Sequence, residues 1–407
     1  MSLFAFSEDE ALAIASAKAL PCFAYRLDMA RERYAALRAA LPDRAILAYA
    51  VKANPGRPLV AAFAALGASF DTASIGELKL VRSLSVSGSR ILFAGPGKSA
   101  EELELALAMG ARIEVDGIED LVRIEELLNR RAAASEEEAV TATATATATA
   151  VSLRIHPASG VTEGSRIIGG SGPSAFGVDE EDLPSFLREA ARFKRVRITG
   201  LQVFAASNEK IAERLLENHH AAFAIGKALQ RELGLALDLI DLGGGLGIPY
   251  AKGEAELDIG AFGSGLGELL AQNAWFSGRV VVEPGRYLAG PEGVYLARVI
   301  RTKLSRGTNF AVLEGGLNHL LRPLLTGSPF PAIAPGVRGG FRATSLAGPL
   351  CTSLDRLGDV QLPRLKAGDL VMLGQAGAYG FTESMAPFLS HPIAAEYWYE
   401  EAPRPVL

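Results

Sequence analysis

The stretch Tyr49-Ala50-Val51-Lys52-Ala53-Asn54 ends an apolar run on a lysine, just before Pro55 and Gly56 break the pattern and a helical run begins. A lone lysine is usually a solvated surface charge. At the end of a buried strand, however, its amine points into a pocket where desolvation lowers the pKa of that amine. A neutral amine attacks carbonyl carbon atoms. The stretch therefore predicts a nucleophilic lysine at the edge of a sheet.

Strand-like and helical runs alternate from Arg44 to about Glu283. Eight runs rich in β-branched residues predict strands over 46–51, 68–71, 91–94, 112–115, 151–156, 198–204, 237–241 and 279–283. Helical periodicity predicts helices over 57–66, 75–84, 100–109, 118–131, 180–192 and 209–233. This α/β pattern fits a closed (β/α)8 TIM barrel better than an open sheet. The strand ends, where barrels place their chemistry, then carry Lys52, Asp71, Phe204, Gly243 and Glu283.

The pattern changes after Glu283, where strand-like runs over 294–303, 310–314 and 369–373 are separated by Gly/Pro turns. We predict a C-terminal β-domain over 285–407, completed by residues 1–28 with a strand at Cys22–Arg26. The barrel domain then covers 29–284. Within it, 132–150 is a low-complexity insert with alternating Thr and Ala, expected as an exposed strand extension or a mobile insert.

The composition limits the class of protein. The chain has 407 residues and a net charge of -5, so it has no basic footprint for nucleic acid. No apolar run is long enough for a membrane span, and the N-terminus is acidic, unlike an export signal. Two cysteines form no disulfide framework and suit a reducing compartment. We expect a cytoplasmic protein whose partners are small molecules.

Two later segments carry chemistry that complements a nucleophilic lysine. In Ile240-Asp241-Leu242-Gly243-Gly244-Gly245-Leu246-Gly247, glycines directly after a strand let backbone N–H groups converge on a phosphate. Val282-Glu283-Pro284-Gly285-Arg286 places an acid at a strand end, where it could keep a pyridine nitrogen protonated. Each segment alone is also compatible with a plain turn or a surface ion pair.

Taken in order, these segments resemble the ornithine/diaminopimelate decarboxylase family of pyridoxal-phosphate enzymes, within the alanine-racemase fold class. The resemblance runs from about Pro21 to Pro392. It implies a decarboxylase that uses pyridoxal 5'-phosphate, with Lys52 as the lysine that binds the cofactor covalently and Glu77 lining the pocket. The other cofactor-binding residues that it implies are Asp71, Arg154, Phe204, Ser207, Gly243, Gly244, Gly245, Glu283, Gly285, Arg286 and Tyr379.

The segment Gly348-Pro349-Leu350-Cys351-Thr352-Ser353-Leu354-Asp355 resembles the one that supplies the family's proton-donating cysteine, here Cys351. A single cysteine is otherwise most often a small buried hydrophobe. In the family this segment and that of Tyr379 meet the barrel of a partner subunit, which implies a homodimer with shared active sites. The substrate-binding residues implied by the resemblance are Arg286, Arg322, Thr352 and Asp355.

Departures from the family bear on the substrate. Phe204 stands where a histidine commonly stacks on the cofactor ring, Thr352 where diaminopimelate decarboxylases have an acid, and Thr326 where they have a tyrosine. The last two point away from a free diamino acid. The tail from Tyr379 to Pro392 resembles a biosynthetic branch that acts on derivatised substrates. We favour a citryl-linked diamino acid of siderophore biosynthesis, suited to Arg322 and Arg356, or a carrier-linked aminoacyl group.

Three alternatives stay open at this point: a decarboxylase of free diaminopimelate or ornithine, an amino-acid racemase on the same fold, and a non-catalytic regulator that binds the cofactor. In racemases of this fold class an arginine faces the pyridine nitrogen. The carboxylate that the resemblance places there in this chain, Glu283, therefore favours decarboxylation. The regulators are small single barrels without a β-domain. We predict no metal site, since adjacent His219 and His220 face different sides of a helix.

Overall fold

The computed structural model describes residues 2–138, 148–158, 172–203 and 207–401. The chain begins with helix α1 (Glu8–Ala17), strand β1 (Cys22–Arg26) and helix α2 (Leu27–Ala40). Ser7 caps α1, because its hydroxyl accepts the Glu10 N–H while the Glu10 carboxylate accepts the Ser7 N–H. No helix in these ranges combines the length and the apolar composition that crossing a membrane requires.

Eight parallel strands form a closed barrel: β2 (Ala45–Ala50), β3 (Ser69–Thr72), β4 (Ile91–Phe93), β5 (Arg112–Val115), β6 (Thr149–His156), β8 (Val196–Val203), β9 (Leu239–Asp241) and β10 (Arg279–Val282). The strand order is β5-β4-β3-β2-β10-β9-β8-β6, and the pairing of β5 with β6 joins its two ends. A short strand β7 (Val178–Asp179) pairs with β6 outside this ring. The predicted barrel is confirmed.

Helices surround the barrel: α3 (Arg57–Ala65), α4 (Ile75–Ser83), α5 (Ala100–Met109), α6 (Ile118–Glu138), α7 (Leu183–Ala190), α8 (Ala212–Leu233) and α9 (Ile259–Gln272). The analysis of the sequence missed α9, whose four glycines lower its helix propensity. Packing explains one of them, since a Cβ atom on Gly263 would lie 1.9 Å from the carbonyl oxygen of Ala40. The glycine lets α9 pack closely against the end of α2.

The low-complexity segment differs from its predicted boundaries. Helix α6 continues to Glu138 rather than ending at Arg131, and strand β6 begins at Thr149. The predicted insert over 132–150 therefore overlaps a helix and the start of a barrel strand. Residues 139–147, which hold most of the Thr/Ala tract, lie outside the described residues.

The remaining strands form a second, mixed sheet: β11 (Gly293–Ser305), β12 (Thr308–Leu313), β13 (Ala332–Ile333), β14 (Arg342–Ala347), β15 (Arg356–Leu362), β16 (Leu370–Leu373) and β17 (Ala395–Tyr399). Strand β1 joins it, antiparallel to β11 and parallel to β17, so the predicted N-terminal strand of the β-domain is confirmed. Two short helices, α10 (Arg286–Ala289) and α11 (Arg322–Thr326), begin on the arginines predicted to lie in the site.

Candidate active site

A cavity of about 580 Å³ lies at the carboxyl ends of the barrel strands, where segments of the second sheet domain cover them. It brings together residues that are far apart in the chain, among them Lys52, Glu77, Arg154, Ser207, Glu283, Arg286, Arg322 and Tyr379. A larger cavity of about 810 Å³ lies near the amino end of β8, and its described lining contains none of the predicted site residues. The chemistry is therefore concentrated in the smaller cavity.

Lys52 lies in the single turn Val51–Ala53 after β2, with 47% of its side chain exposed. Its Nζ is 3.3 Å from Oδ2 of Asp71, which is buried on β3. The negative charge of Asp71 raises the pKa of Lys52 and outweighs the opposing effect of burial. Desolvation acts in the predicted direction, but the predicted net lowering of the Lys52 pKa is wrong. The amine holds a proton in the ligand-free protein and must lose it before it can attack a carbonyl carbon.

Three buried carboxyl groups form a cluster that includes the cavity residue Glu283, with oxygens of Glu114, Asp241 and Glu283 all within 4.8 Å of one another. Burial raises the pKa of Glu114 and Glu283 well above the usual range and that of Asp241 to about 6. Oε2 of Glu283 accepts a long hydrogen bond of 3.5 Å from Gln202. Its Oε1 is buried and has no partner among the described residues. A cationic ring N–H, such as that of the pyridinium in pyridoxal phosphate, could donate a hydrogen bond to this oxygen.

A small recess beside Lys52 fits a phosphate group. Its lining includes Ser207, Gly244, Gly245, Gly285, Arg286 and Tyr379. Gly245 has a φ of 98°, and a Cβ atom on Gly285 would lie 2.8 Å from the Cβ of Ala53. Neither position therefore accommodates a side chain without strain or displacement. Gly243 also has a positive φ, and its N–H donates to Oδ1 of Asp241 at 2.8 Å.

Two aromatic hydroxyl-bearing rings hold Arg286 at the edge of this recess. Its Nη1 donates to the Tyr250 hydroxyl at 2.8 Å, and its guanidinium lies 5.1 Å from the ring centroid of Tyr379. Tyr379 is anchored by its own backbone N–H, which donates to the Ala53 carbonyl at 2.8 Å. The Lys52 turn and the second sheet domain are thereby connected at the cavity.

Arg322 is paired within the chain. Its Nη1 donates to Oε2 of Glu383 at 2.8 Å, and its guanidinium lies 4.3 Å from the Tyr379 ring centroid. Arg356, the other arginine considered for a carboxylate-rich substrate, binds Asp359 at 3.0 Å and is absent from the described cavity lining. Because each arginine already pairs with a carboxylate of the chain, the prediction that both bind free carboxylates of the substrate is weakened.

The third arginine of the cavity, Arg154, stacks on an aromatic ring, with its guanidinium 4.4 Å from the centroid of Phe176. Glu77 accepts the Ala73 N–H at 2.7 Å, and burial raises its pKa to about 7. Phe204, predicted to stack on the cofactor, lies outside the described residues.

Three predicted residues of the β-domain are not part of this lining as far as the structure describes it: Cys351, Thr352 and Asp355. Cys351 is exposed. The carboxylate of Asp355 is buried and accepts the backbone N–H groups of Leu317 and Leu350, each at 2.7 Å. Asp355 therefore holds two loops together, and its predicted contact with the substrate stays a prediction.

The analysis of the sequence missed several residues of the cavity lining, notably Gln202, Phe176 and Glu383. It also missed two residues next to the lining: Tyr250 beside Arg286 and Glu114 beside Glu283. Glu114 and Gln202 are polar residues within barrel strands that are otherwise mostly apolar, and this pattern could have marked both. No local signal distinguishes Glu383, because its partner Arg322 is 61 positions away in the chain.

Comparisons with known proteins agree with this geometry. The family described as "Pyridoxal-dependent decarboxylase, pyridoxal binding domain" matches residues 27–290. The chain is 30% identical to the L-glutamyl-[BtrI acyl-carrier protein] decarboxylase of Niallia circulans, over 92% of this chain and 88% of that protein. It is 32% identical to the diaminopimelate decarboxylase of Zymomonas mobilis, over 94% of this chain and 88% of that protein.

A solved structure shows the same fold. The crystal structure of diaminopimelate decarboxylase from Helicobacter pylori, complexed with L-lysine, superposes with a TM-score of 0.83. The superposition covers 96% of this chain and 94% of that chain, at 24% sequence identity.

Proposed function

This chain belongs to the family of pyridoxal-dependent decarboxylases of amino acids, and from that premise we propose that its substrate is an amino acid joined at its distal end to a second group. The family sets aside the racemase and the non-catalytic regulator. Two substrates of this kind remain possible: a citryl-linked diamino acid, and an aminoacyl group joined to a carrier through its distal carboxyl group. Both have a free α-amine and a free α-carboxylate.

The residues of the cavity divide the work of the reaction. When bound, pyridoxal phosphate supplies the electron sink for the pair left by the departing carboxylate. Lys52 offers the amine that would hold the cofactor, and Asp71 balances the charge of that amine. Glu283 has a buried Oε1 that would accept the hydrogen bond of the ring nitrogen and keep that nitrogen protonated. Ser207, the glycines and Arg286 would hold the phosphate in the recess.

The observation that carries the choice of a derivatised substrate is the state of Arg322. The residue that the family resemblance assigns to a substrate carboxylate is already paired with Glu383. Thr352 and Thr326 also lack the groups that bind a free diamino acid. The relative from Niallia circulans, named for a glutamyl group on an acyl-carrier protein, supports a conjugate as well.

Holoenzyme assayed for CO2 release tests this choice. We expect release from carrier-linked or citryl-linked amino acids at least about tenfold faster, as kcat/KM, than from free meso-diaminopimelate or L-ornithine. The Lys52→Ala variant run beside it controls for release that does not need the site. Faster turnover of free meso-diaminopimelate than of every conjugate would show that the second candidate, a diaminopimelate decarboxylase, is correct.

We also propose that two copies of the chain share their active sites, with Cys351 of one copy donating the proton that replaces the carboxylate on the other. Cys351 is exposed in the single chain. Large apolar side chains are exposed as well. Leu354, three positions after Cys351, is 58% exposed, and Phe388 and Leu389, in the segment that follows Tyr379, are 42% and 48% exposed. Such residues favour burial against a second subunit.

Mixing two inactive variants tests the shared site. Lys52→Ala and Cys351→Ala, unfolded and refolded together, should recover about a quarter of wild-type activity, because half of the dimers then contain one intact site of two. Each variant refolded alone is the control. Activity that stays absent after mixing, with dimers confirmed by mass, contradicts the sharing of Lys52 and Cys351 between subunits.

A further inference from the structure

Arg322 and Glu383 contact each other in the lining of the cavity. Both residues line the cavity, and Nη1 of Arg322 is 2.8 Å from Oε2 of Glu383. The Arg322 side chain is 5% exposed, whereas that of Glu383 is 29% exposed. Glu383 is therefore the more accessible member of the pair. The ring of Tyr379 supports the guanidinium from another side.

The charge of this pair determines which distal group fits beside it. A free carboxylate on the substrate would approach a guanidinium that is already neutralised, and it would meet the negative charge of Glu383 as well. Like charges brought together in a partly buried site repel each other. A neutral carbonyl group has no such repulsion. It can still accept a hydrogen bond, because a guanidinium has five N–H donors and Nη1 is the atom bonded to Glu383.

The other cationic side chains of the cavity contact groups other than Glu383. Arg286 binds the Tyr250 hydroxyl and lines the recess that fits a phosphate. Arg154 lies against Phe176, and Lys52 is beside Asp71. Glu77 adds a further acidic group to the lining. Arg154 forms no ion pair with a carboxylate among the described residues, and its described contact is with the ring of Phe176, not with Glu383 or Arg322.

We propose that Glu383 determines specificity: by neutralising Arg322, it selects amino acids whose distal carboxyl group is uncharged, as an amide, ester or thioester, over free dicarboxylic amino acids. This inference rests on the proposed function and narrows it. A carrier-linked acyl group has a neutral thioester at that position. A citryl group would bring free carboxylates instead, so the pair favours the carrier-linked substrate of the two.

Two ligands that differ at the distal carboxyl group test the inference on the holoenzyme. L-glutamate has a free carboxylate there, and γ-L-glutamylethylamide has a neutral amide. Dissociation constants come from the change in cofactor absorbance on binding, and CO2 release is measured in parallel. We expect wild-type enzyme to bind the amide at least about tenfold more tightly than glutamate, and Glu383→Gln to reduce that ratio at least about tenfold.

Matched variants separate charge from shape. Glu383→Asp keeps the charge and should keep a preference for the amide, while Glu383→Gln keeps the shape and loses the preference. Glu400→Gln makes the same chemical change at an exposed pair with Arg31, 2.6 Å apart, and should leave the ratio unchanged. If wild-type enzyme prefers glutamate, fails to bind the amide, or shows the same ratio as Glu383→Gln, the role of Glu383 is contradicted.

The two readouts distinguish this inference from the proposed function. A ratio of dissociation constants that shifts in Glu383→Gln supports the inference even where neither ligand loses CO2. CO2 release from conjugates together with an unchanged ratio leaves the proposed function intact and overturns the role of Glu383.

Discussion

Lys52→Ala is expected to lower kcat/KM for CO2 release by about 10³-fold or more, the scale of loss when a covalent catalyst is removed. The variant should also lose the covalent attachment of the cofactor. The Lys52 amine faces the cavity beside the buried carboxylate of Asp71, and alanine has no group that can form the bond. The measurement is borohydride reduction followed by peptide mapping, which in wild-type protein should place the label on Lys52.

Lys79→Ala is the matched control, because this lysine is 54% exposed and makes a pair of 3.6 Å with Glu101 on the surface. It should keep both the label and the activity. A label that persists in Lys52→Ala, or that maps to another lysine of the wild-type chain, would falsify the assignment of Lys52. Added free amines should restore part of the lost activity if the rest of the site is intact.

Glu283→Gln is the second substitution with a large expected effect, a loss of about 10²- to 10⁴-fold in kcat/KM. Glutamine preserves the shape and the contact with Gln202 but cannot hold a positive charge on the ring nitrogen. The neutral ring is a weaker electron sink, so the departure of the carboxylate should slow more than substrate binding weakens. The check is a comparison of kcat with KM, and Glu283→Asp should retain more activity than Glu283→Gln.

The same substitution can be tested without substrate, by measuring how the melting temperature of the apoprotein depends on pH. Burial raises the pKa of Glu283 in the ligand-free protein, so the folded chain binds a proton that the unfolded chain has released. The stability of the apoprotein therefore falls as pH rises from the ordinary glutamate pKa toward the raised one. Glu283→Gln removes one such group, so its melting temperature should fall less over that pH range. An equal or steeper fall would contradict a protonated Glu283.

Much of the fold followed from local patterns. The eight barrel strands and the strand Cys22–Arg26 are periodic or β-branched runs whose ends the structure places close to the predicted ones. Helix α9 was missed because its four glycines lower its helix propensity, although one of them, Gly263, allows a close contact with α2. The strands β14, β15 and β17 were missed as well. Strand β17 pairs with β1 from the other end of the chain, whereas β14 and β15 are neighbours in the chain and pair with each other.

The order of motifs along the chain was sufficient to determine the family, the cofactor and a lysine at the end of a barrel strand. Folding decided the state of those groups: the raised pKa of Lys52, the structural bonds of Asp355, and the pairing of Arg322 with Glu383. Periodicity and residue type are local properties of the chain, so they indicate a strand or a turn whatever its position in the fold. The charge that a side chain carries and the group that it binds depend on neighbours brought within a few ångströms by the closed barrel and its covering domain.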